Sequence, residues 1–151
     1  MNQSLNLAVP LIKKYEGFSA TSYLCPAGYK TIGYGHKILS GEKIAEPLSE
    51  DKALELLAAD AEIAGEAIKR LIKRLLTPEQ TAALLSFTYN LGAAALQRST
   101  LRRKVNAGQD GMVPKELMKW VRVKGRIMSG LVARRKEEGG LYISNAKSLV
   151  V

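Results

Sequence analysis

The sequence predicts an α+β protein in which helices dominate: a small lobe with a β-sheet, a long connecting helix and a helical lobe. Three observations predict this fold class. Glycines interleave with Tyr, Thr and Ile between residues 19 and 38, apolar residues recur at helical spacing from 54 to 75, and helix-initiation signals follow after 76. Two lobes joined by a helix leave a cleft between them, and clefts are where sites form.

The composition is that of a globular protein without disulfide bonds or a structural metal site. The chain has 151 residues, 46% of them hydrophobic and 25% charged, with one cysteine and one histidine. One cysteine cannot form an intrachain disulfide, and this Cys and His alone cannot complete a zinc site, so we predict neither metal nor cofactor. No segment approaches the run of about 20 apolar residues that spans a bilayer. We therefore expect a single domain over residues 1–151 without stable membrane insertion.

The predicted small lobe covers residues 1–48. A short opening helix is expected over residues 5–15, with three apolar residues on one side despite Pro10: Leu5, Val9 and Ile12. After it, "CPAGYK" supplies turn residues between two extended runs. This pattern predicts a small antiparallel sheet between Ser19 and Ile38.

The predicted connecting helix covers residues 49–76. Ser49 is a suitable N-cap, and the acidic side chains of Glu50 and Asp51 lie in the first turn, where they favour the positive end of the helix dipole. One apolar stripe follows at alternating steps of three and four residues: Leu54, Leu57, Ala61, Ala64, Ile68, Leu71 and Leu75. We interpret this stripe as core packing.

The predicted helical lobe covers residues 77–151. "TPEQ" is a capping box, with Thr77 as N-cap and Gln80 reaching back, and an apolar helix follows as far as Gly92. "STL" and "VPKEL" open two further helices, of which the second is expected to carry Trp120 into the core.

Positive charge is concentrated in the C-terminal part of the chain. The formal net charge is +9; residues 1–97 hold ten Lys and Arg against ten Asp and Glu, whereas residues 98–136 hold twelve against two. Such a surface attracts polyanions as a class. The basic run "KWVRVKGRIMSGLVARR" could be a solvated helical face or an anion-binding surface. It lacks interleaved exposed aromatic residues and any reader motif, so we expect no nucleic-acid partner.

The chemically distinctive segment is "YEGFSATSYLCPAGYKTIGYGH", residues 15–36, which contains the only cysteine and the only histidine. A hairpin at the "PAGYK" turn would bring Cys25 close to Thr31, with Glu16 facing them from the end of the first helix. Spacing alone is a weak signal. On that basis Glu16 could equally be a solvated helix end and Cys25 a small buried hydrophobic residue.

This segment resembles the catalytic segment of the phage-type lysozymes, glycoside hydrolase family 24. The resemblance lies in Glu16, Cys25 and Thr31 at the family's spacing, followed by "IGYGH" at residues 32–36. Later motifs occur in the same order and extend the match over most of the chain: "SFTYNLG", "STL", Trp120 and "GLVARRKEE". The resemblance implies a lysozyme-like fold.

The resemblance further implies an endolysin that hydrolyses the β-1,4 bond between N-acetylmuramic acid and N-acetylglucosamine in bacterial peptidoglycan. Glu16 would be the general acid, and Cys25 and Thr31 would activate or position water. Many relatives have a carboxylate where this chain has Cys25. An ordinary thiol is only a few per cent ionised near neutrality. Inversion at the anomeric carbon is expected by resemblance, and the cysteine leaves retention open.

Four further residues are expected to bind substrate. Tyr89 and Asn90 would form the far wall of the cleft, where an aromatic face packs a sugar ring and an amide bonds an acetamido group. Arg134 or Arg135 would approach Glu16 across the cleft, and the basic run would adhere to the anionic wall. His36 is expected to be structural, holding its strand to the next segment by hydrogen bonds, rather than part of a Cys–His pair.

Two other functions stay open at this point. A lytic transglycosylase would also need Glu16, but it would not require Cys25 or Thr31. A non-enzymatic basic module that binds cell wall or nucleic acid would need none of them. We expect a monomer made in the host cytoplasm that reaches the periplasm and cell wall through a holin-type membrane lesion.

Overall fold

The computed structural model describes residues 2–144. Helix α1 spans Asn2–Glu16, and it is followed by a three-stranded antiparallel sheet in the order β1-β2-β3. The strands are β1 (Ser19–Leu24), β2 (Lys30–Gly33) and β3 (His36–Lys37). The predicted helix and sheet are therefore both present, and the helix is longer at its N-terminus than predicted.

The buried face of α1 is turned relative to the predicted one. Its buried residues are Ser4, Ala8, Leu11 and Ile12, whereas Leu5 and Val9 are only half-buried. The helix packs mainly against α3 (Pro78–Leu91). Because α3 comes from a distant part of the chain, the stripe that it covers is set by tertiary packing rather than by local periodicity.

The connecting helix α2 spans Glu50–Leu71, and the side chain of Ser49 caps it by accepting from the backbone N–H of Lys52 at 3.2 Å. The predicted stripe is buried from Leu57 to Leu71. Leu75 is not part of the helix and is 95% exposed, so its placement in the stripe was wrong.

The early end of α2 has a tertiary cause. Arg102 Nε and Asn106 Nδ2 each donate to the carbonyl oxygen of Leu71 at 3.0 Å. The Asn106 side-chain oxygen also accepts from the backbone N–H of Lys73 at 2.7 Å. These two side chains satisfy backbone groups that would otherwise be unpaired at the helix terminus.

The remaining described elements are mostly helical. They are α3, α4 (Ala93–Arg98), α5 (Thr100–Asn106), a 3₁₀ turn (Asp110–Met112), α6 (Val113–Leu117), β4 (Arg122–Val123), β5 (Arg126–Ile127) and α7 (Ser129–Ile143). The capping box of Thr77 and Gln80 is present as predicted. Together with the sheet and α2, these elements confirm the predicted α+β class dominated by helix.

One prediction in this part of the chain was wrong, and one of the alternatives for the basic run is ruled out. Helix α6 ends at Leu117, so Trp120 lies in the segment after it and packs edge-on against Phe87 at 5.5 Å between ring centroids. The basic run is not one solvated helical face, because the antiparallel β4–β5 hairpin occupies its first half. Lys124 and Gly125, which form the turn of this hairpin, both have positive φ, as a tight hairpin turn requires.

Helix α3 lies at the centre of the core. Its residues from Ala82 to Thr88 are buried, and it packs against α1, α2 and α7. The C-terminal end of α3 thereby lies beside both the end of α1 and the middle of α7, which is where the site described below is located.

Within residues 2–144, no helix combines the length and apolar character needed to cross a bilayer.

Candidate active site

A cleft of about 320 Å³ opens between the β-sheet on one side and α3, α7 and the β4–β5 hairpin on the other. Glu16, Cys25 and Thr31 line it from the N-terminal side, and Tyr89, Asn90 and Arg134 line it from the helical side. Six of the seven residues predicted to act on or bind substrate therefore share one cavity. The seventh, Arg135, does not line it.

Glu16 is the last residue of α1, and its side chain is 17% exposed. Gly17 follows with φ of +69°, a conformation that favours glycine and turns the chain out of the helix. Arg134 Nη1 donates to Glu16 Oε2 at 3.2 Å. The carboxylate therefore faces the cleft while one of its oxygens is held from α7.

The Arg134 side chain is itself fixed by hydrogen bonds to Ser86. Its side chain is 3% exposed, Nε donates to Ser86 Oγ at 3.2 Å and Nη2 donates to the Ser86 carbonyl oxygen at 3.2 Å. Its Nε also lies 3.5 Å from Glu138 Oε2. Because all three guanidinium nitrogens are engaged, the direction of Nη1 toward Glu16 is well defined.

Arg135 points away from Glu16 and is completely buried. Its Nη2 donates to Asn90 Oδ1 at 2.8 Å, and its Nε lies 2.7 Å from Glu138 Oε1. Burial lowers the pKa of Arg135 to about 10 despite the neighbouring Glu138. Of the two arginines expected to approach Glu16, only Arg134 does so, and Arg135 orients Asn90 instead.

Cys25 lies at the start of the β1–β2 turn and is partly exposed. Its backbone N–H donates to the Tyr29 carbonyl at 2.9 Å, its carbonyl accepts from Gly28, and its Sγ accepts from the Tyr29 N–H at 3.4 Å. Burial raises the pKa of this thiol, but the surrounding backbone N–H groups, Tyr29 first, outweigh burial and lower the pKa below its ordinary value. The turn thus favours the thiolate.

Thr31 is buried in β2, opposite Tyr23 of β1. Its hydroxyl donates to the Tyr29 carbonyl oxygen at 2.9 Å. That same carbonyl accepts from the backbone of Cys25. A single peptide group therefore fixes both residues, and the hydroxyl oxygen of Thr31 keeps its capacity to accept a hydrogen bond.

The two residues of α3 in the cleft are also held by their neighbours. The hydroxyl of Tyr89 donates to the carbonyl oxygen of Tyr34, and burial raises the pKa of Tyr89 well above its ordinary value. Asn90 accepts from Arg135 through Oδ1, and its amide nitrogen has no hydrogen-bond partner among residues 2–144, so it can donate. The ring of Tyr89 and the amide of Asn90 are thereby presented to the cleft.

Comparison with known proteins agrees with this geometry. Residues 13–138 match the family model described as phage lysozyme. The chain belongs to the phage lysozyme family. The match confirms that the predicted family and the predicted lysozyme-like fold are correct. At the level of the family, it also confirms the prediction of a glycoside hydrolase that degrades peptidoglycan.

Similar proteins share much of this phage lysozyme's length. An endolysin of Acyrthosiphon pisum secondary endosymbiont phage 1 is 35% identical over 89% of this chain and 93% of its own length. An endolysin of Bacillus phage B103 is 37% identical over 90% of this chain, which spans only 52% of that relative. The muramidase domain of SpmX from Asticaccaulis excentricus is 31% identical, with a TM-score of 0.79 over 90% of this chain and 94% of that one.

In this phage lysozyme His36 lies outside the cleft lining, in a polar cluster between β3 and α2. Its Nδ1 lies 2.7 Å from Asp60 Oδ2, and its Nε2 lies 3.0 Å from both oxygens of Glu42. Burial lowers the pKa of His36, but the two carboxylates outweigh burial and raise it above its ordinary value. These contacts are of the kind expected for a structural histidine.

Several residues around the site were not singled out from the sequence. Ser86 and Glu138 hold Arg134, Gly35 contacts Glu16, and Lys37 and Arg122 line the cleft. The "IGYGH" motif contained Gly35 and adjoined Lys37. Ser86 and Glu138 lie in the quoted motifs "SFTYNLG" and "GLVARRKEE", and Arg122 lies in the basic run. None of the three was given a role, because they converge from α3, α7 and a hairpin that are far apart along the chain.

Proposed function

We propose that this phage lysozyme hydrolyses the β-1,4 bond between N-acetylmuramic acid and N-acetylglucosamine in peptidoglycan, with Glu16 as general acid. The observation that carries the proposal is the convergence of a partly buried carboxyl, a thiol and a hydroxyl in one cleft. A glycosidic bond breaks through an oxocarbenium-like transition state, which requires a proton donor on the leaving oxygen and an activated water or nucleophile across the sugar.

Glu16 is well suited to the donor role. Among the described residues that line the cleft, its side chain is the sole carboxyl group. Arg134 binds Oε2, so the carboxyl group is fixed in orientation while Oε1 is left to exchange a proton with the glycosidic oxygen. Once Glu16 has given up its proton, Arg134 stabilises the resulting carboxylate.

Cys25 and Thr31 would hold the attacking water. The Thr31 hydroxyl donates to Tyr29, so its oxygen accepts one hydrogen of a water molecule, and the Cys25 thiolate accepts the other. The water's lone pairs then point away from both groups, toward the anomeric carbon of a sugar in the cleft. As the bond forms, the thiolate takes the departing proton.

The remaining cleft residues would position the saccharide. The Tyr89 ring would offer a face to a sugar, and the amide N–H of Asn90 would donate to an acetamido carbonyl. Lys37 and Arg122 add positive charge at opposite edges of the cleft. Together with Arg134, these cations outnumber the single carboxyl group of Glu16, which leaves the cleft cationic, as suits a polymer that carries carboxylates.

The decisive experiment is mass spectrometry of the fragments that the enzyme releases from purified, peptide-bearing peptidoglycan. We expect fragments that end in a reducing N-acetylmuramic acid. Anhydro-muramic ends would instead indicate a lytic transglycosylase, and the absence of any fragments would favour a non-catalytic wall-binding module. Glu16→Gln should abolish release while binding to the wall is kept; full activity in that variant would overturn the role of Glu16.

Variants of Cys25 test the water-holding role. Cys25→Asp should stay active, because a carboxylate can orient and deprotonate the same water, whereas Cys25→Ala should lose most activity. Full activity of Cys25→Ala would remove any catalytic role for the thiol. Proton NMR of the first-formed anomer distinguishes inversion, which water attack predicts, from retention, which direct attack by sulfur would give.

We also infer that residues 1–151 form one domain, which acts as a monomer on the cell wall after crossing the inner membrane through a holin-type lesion. Lysis of cells that express the chain with and without a co-expressed holin tests the route. Lysis at equal rates in both cultures would contradict it.

A further inference from the structure

We propose that Gly35 is a positioning residue for Glu16: because it lacks a Cβ, the flat face of the Glu16 carboxyl group rests on its backbone. This inference rests on the proposed role of Glu16 as general acid. Gly35 itself belongs to the short turn between β2 and β3, and it also lines the cleft.

The geometry of this contact is specific. A Cβ built on Gly35 would lie 2.7 Å from Glu16 Cδ and 2.8 Å from each of its two carboxylate oxygens. Since the three distances are nearly equal, the Cβ position lies over the face of the carboxyl plane rather than beyond its edge. Real Cβ atoms do not approach other atoms so closely, so any side chain here would displace the carboxyl group or the turn.

The facial contact leaves the edge of the carboxyl group free. Its hydrogen-bonding lone pairs lie in the carboxyl plane, so a neighbour stacked on the face does not compete for them. Arg134 Nη1 binds Oε2 at 3.2 Å, and within residues 2–144 Oε1 has no protein hydrogen-bond partner. Together, Gly35 and Arg134 fix the rotation of the carboxyl group and make Oε1 the oxygen that meets the substrate.

A second property of Gly35 must be separated from this one. Its φ is +76°, a backbone conformation that L-residues adopt only with strain, so a substitution would be unfavourable even without a neighbour. Gly108 provides a matched control. Its φ is +72°, and a Cβ there would meet nothing within 4 Å.

The experiment compares Gly35→Ala with Gly108→Ala. Both should lower the midpoint of thermal unfolding, because both place alanine at a similarly strained φ, and only Gly35→Ala also displaces the Glu16 carboxyl group or the turn. We expect Gly35→Ala to lower kcat about 100-fold with little change in KM, since a displacement of about 1 Å in a catalytic group costs that much. Gly108→Ala should keep the wild-type kcat. Equal kcat values for the two folded variants would overturn the inference.

A double-mutant cycle with Glu16→Asp tests whether the loss passes through the carboxyl group. Aspartate is one methylene shorter, so its carboxyl group no longer reaches residue 35. Adding Gly35→Ala to Glu16→Asp should then reduce kcat by much less than 100-fold. A further loss as large as in the wild-type background would show that residue 35 acts elsewhere and would refute the proposal.

The outcomes also separate this inference from the proposed function. If Glu16→Gln remains active, Glu16 is not the general acid and the proposed function fails. If Glu16→Gln is inactive but folded Gly35→Ala has the kcat of the wild type, Glu16 keeps its role and only the positioning by Gly35 is wrong.

Discussion

Arg134 in α7 donates a hydrogen bond to Glu16 at the end of α1, across 118 residues of sequence and a distance of 3.2 Å. This contact joins the two sides of the cleft at the proposed general acid. The orientation of the Arg134 guanidinium group depends on Ser86, which accepts two hydrogen bonds from it. The site is therefore a small network whose parts can be tested separately.

Replacing Arg134 by lysine should impair catalysis more than binding. An ammonium group carries the charge but cannot contact Glu16 and both acceptors of Ser86 in one plane. Loss of a charge-assisted hydrogen bond costs about 1.5–3 kcal/mol, so kcat should fall roughly 10- to 100-fold. Steady-state kinetics on solubilised peptidoglycan measure this, with Lys136→Arg, at an exposed position of the same helix, as the control. An unchanged kcat would show that positive charge alone suffices.

The Cys25 thiol should react with iodoacetamide at lower pH than an ordinary cysteine. The N–H groups of the turn, Tyr29 first, lower its pKa against the opposing effect of burial, so the thiolate forms earlier. The rate of alkylation should therefore rise with a midpoint below that of the same thiol in urea-unfolded protein. Alkylation should also abolish lysis. Coincident midpoints in folded and unfolded protein would contradict the effect of the turn.

The His36 cluster should stabilise the protein in a pH-dependent way. The folded-state pKa of His36 is raised, so its contribution is fully present below the ordinary value of 6.5 and is lost as pH rises through the folded-state pKa. Asp60→Asn removes one partner and should lower the free energy of unfolding by about 1–3 kcal/mol at mildly acidic pH, and by less at alkaline pH.

Urea unfolding at several pH values checks this expectation. Glu62→Gln is the matched control, because Glu62 is exposed on the same helix α2. Measurements should stay above the ordinary Glu42 pKa of 4.5, since the pKa of Glu42 is lowered and its own contribution disappears in acid. A destabilisation of Asp60→Asn that is constant over this range would mean that the charge of His36 plays no part.

Removing the carboxylate of Glu138 should destabilise the fold strongly. Glu138 is completely buried, it accepts from Ser86 at 2.6 Å, and it is paired with Arg135. Glu138→Leu would leave a buried guanidinium without its counter-ion, which costs about 3–5 kcal/mol. Chemical denaturation measures the loss. Glu55→Leu, which removes only an exposed partner of Lys52, should change stability by less than about 1 kcal/mol.

The sequence by itself determined much of the local structure. Caps at Ser49 and Thr77 begin their helices as predicted, because a cap acts on the three residues that follow it. The glycine-rich turn after Cys25 likewise reverses the chain between two strands. These features depend on neighbours in sequence, and the family resemblance of residues 15–36 depends on them too.

Only the tertiary structure decided which side chains meet. The end of α2 at Leu71 was set by Arg102 and Asn106 from α5, so Leu75 falls outside the helix despite fitting its period. Likewise, two adjacent arginines in α7 have different surroundings: a helix rotates successive residues by about 100°, so Arg134 faces Glu16 while Arg135 is buried against Asn90. The contacts of Glu16 with Gly35 and Arg134 arise in the same way, because packing brings together groups that no local spacing connects.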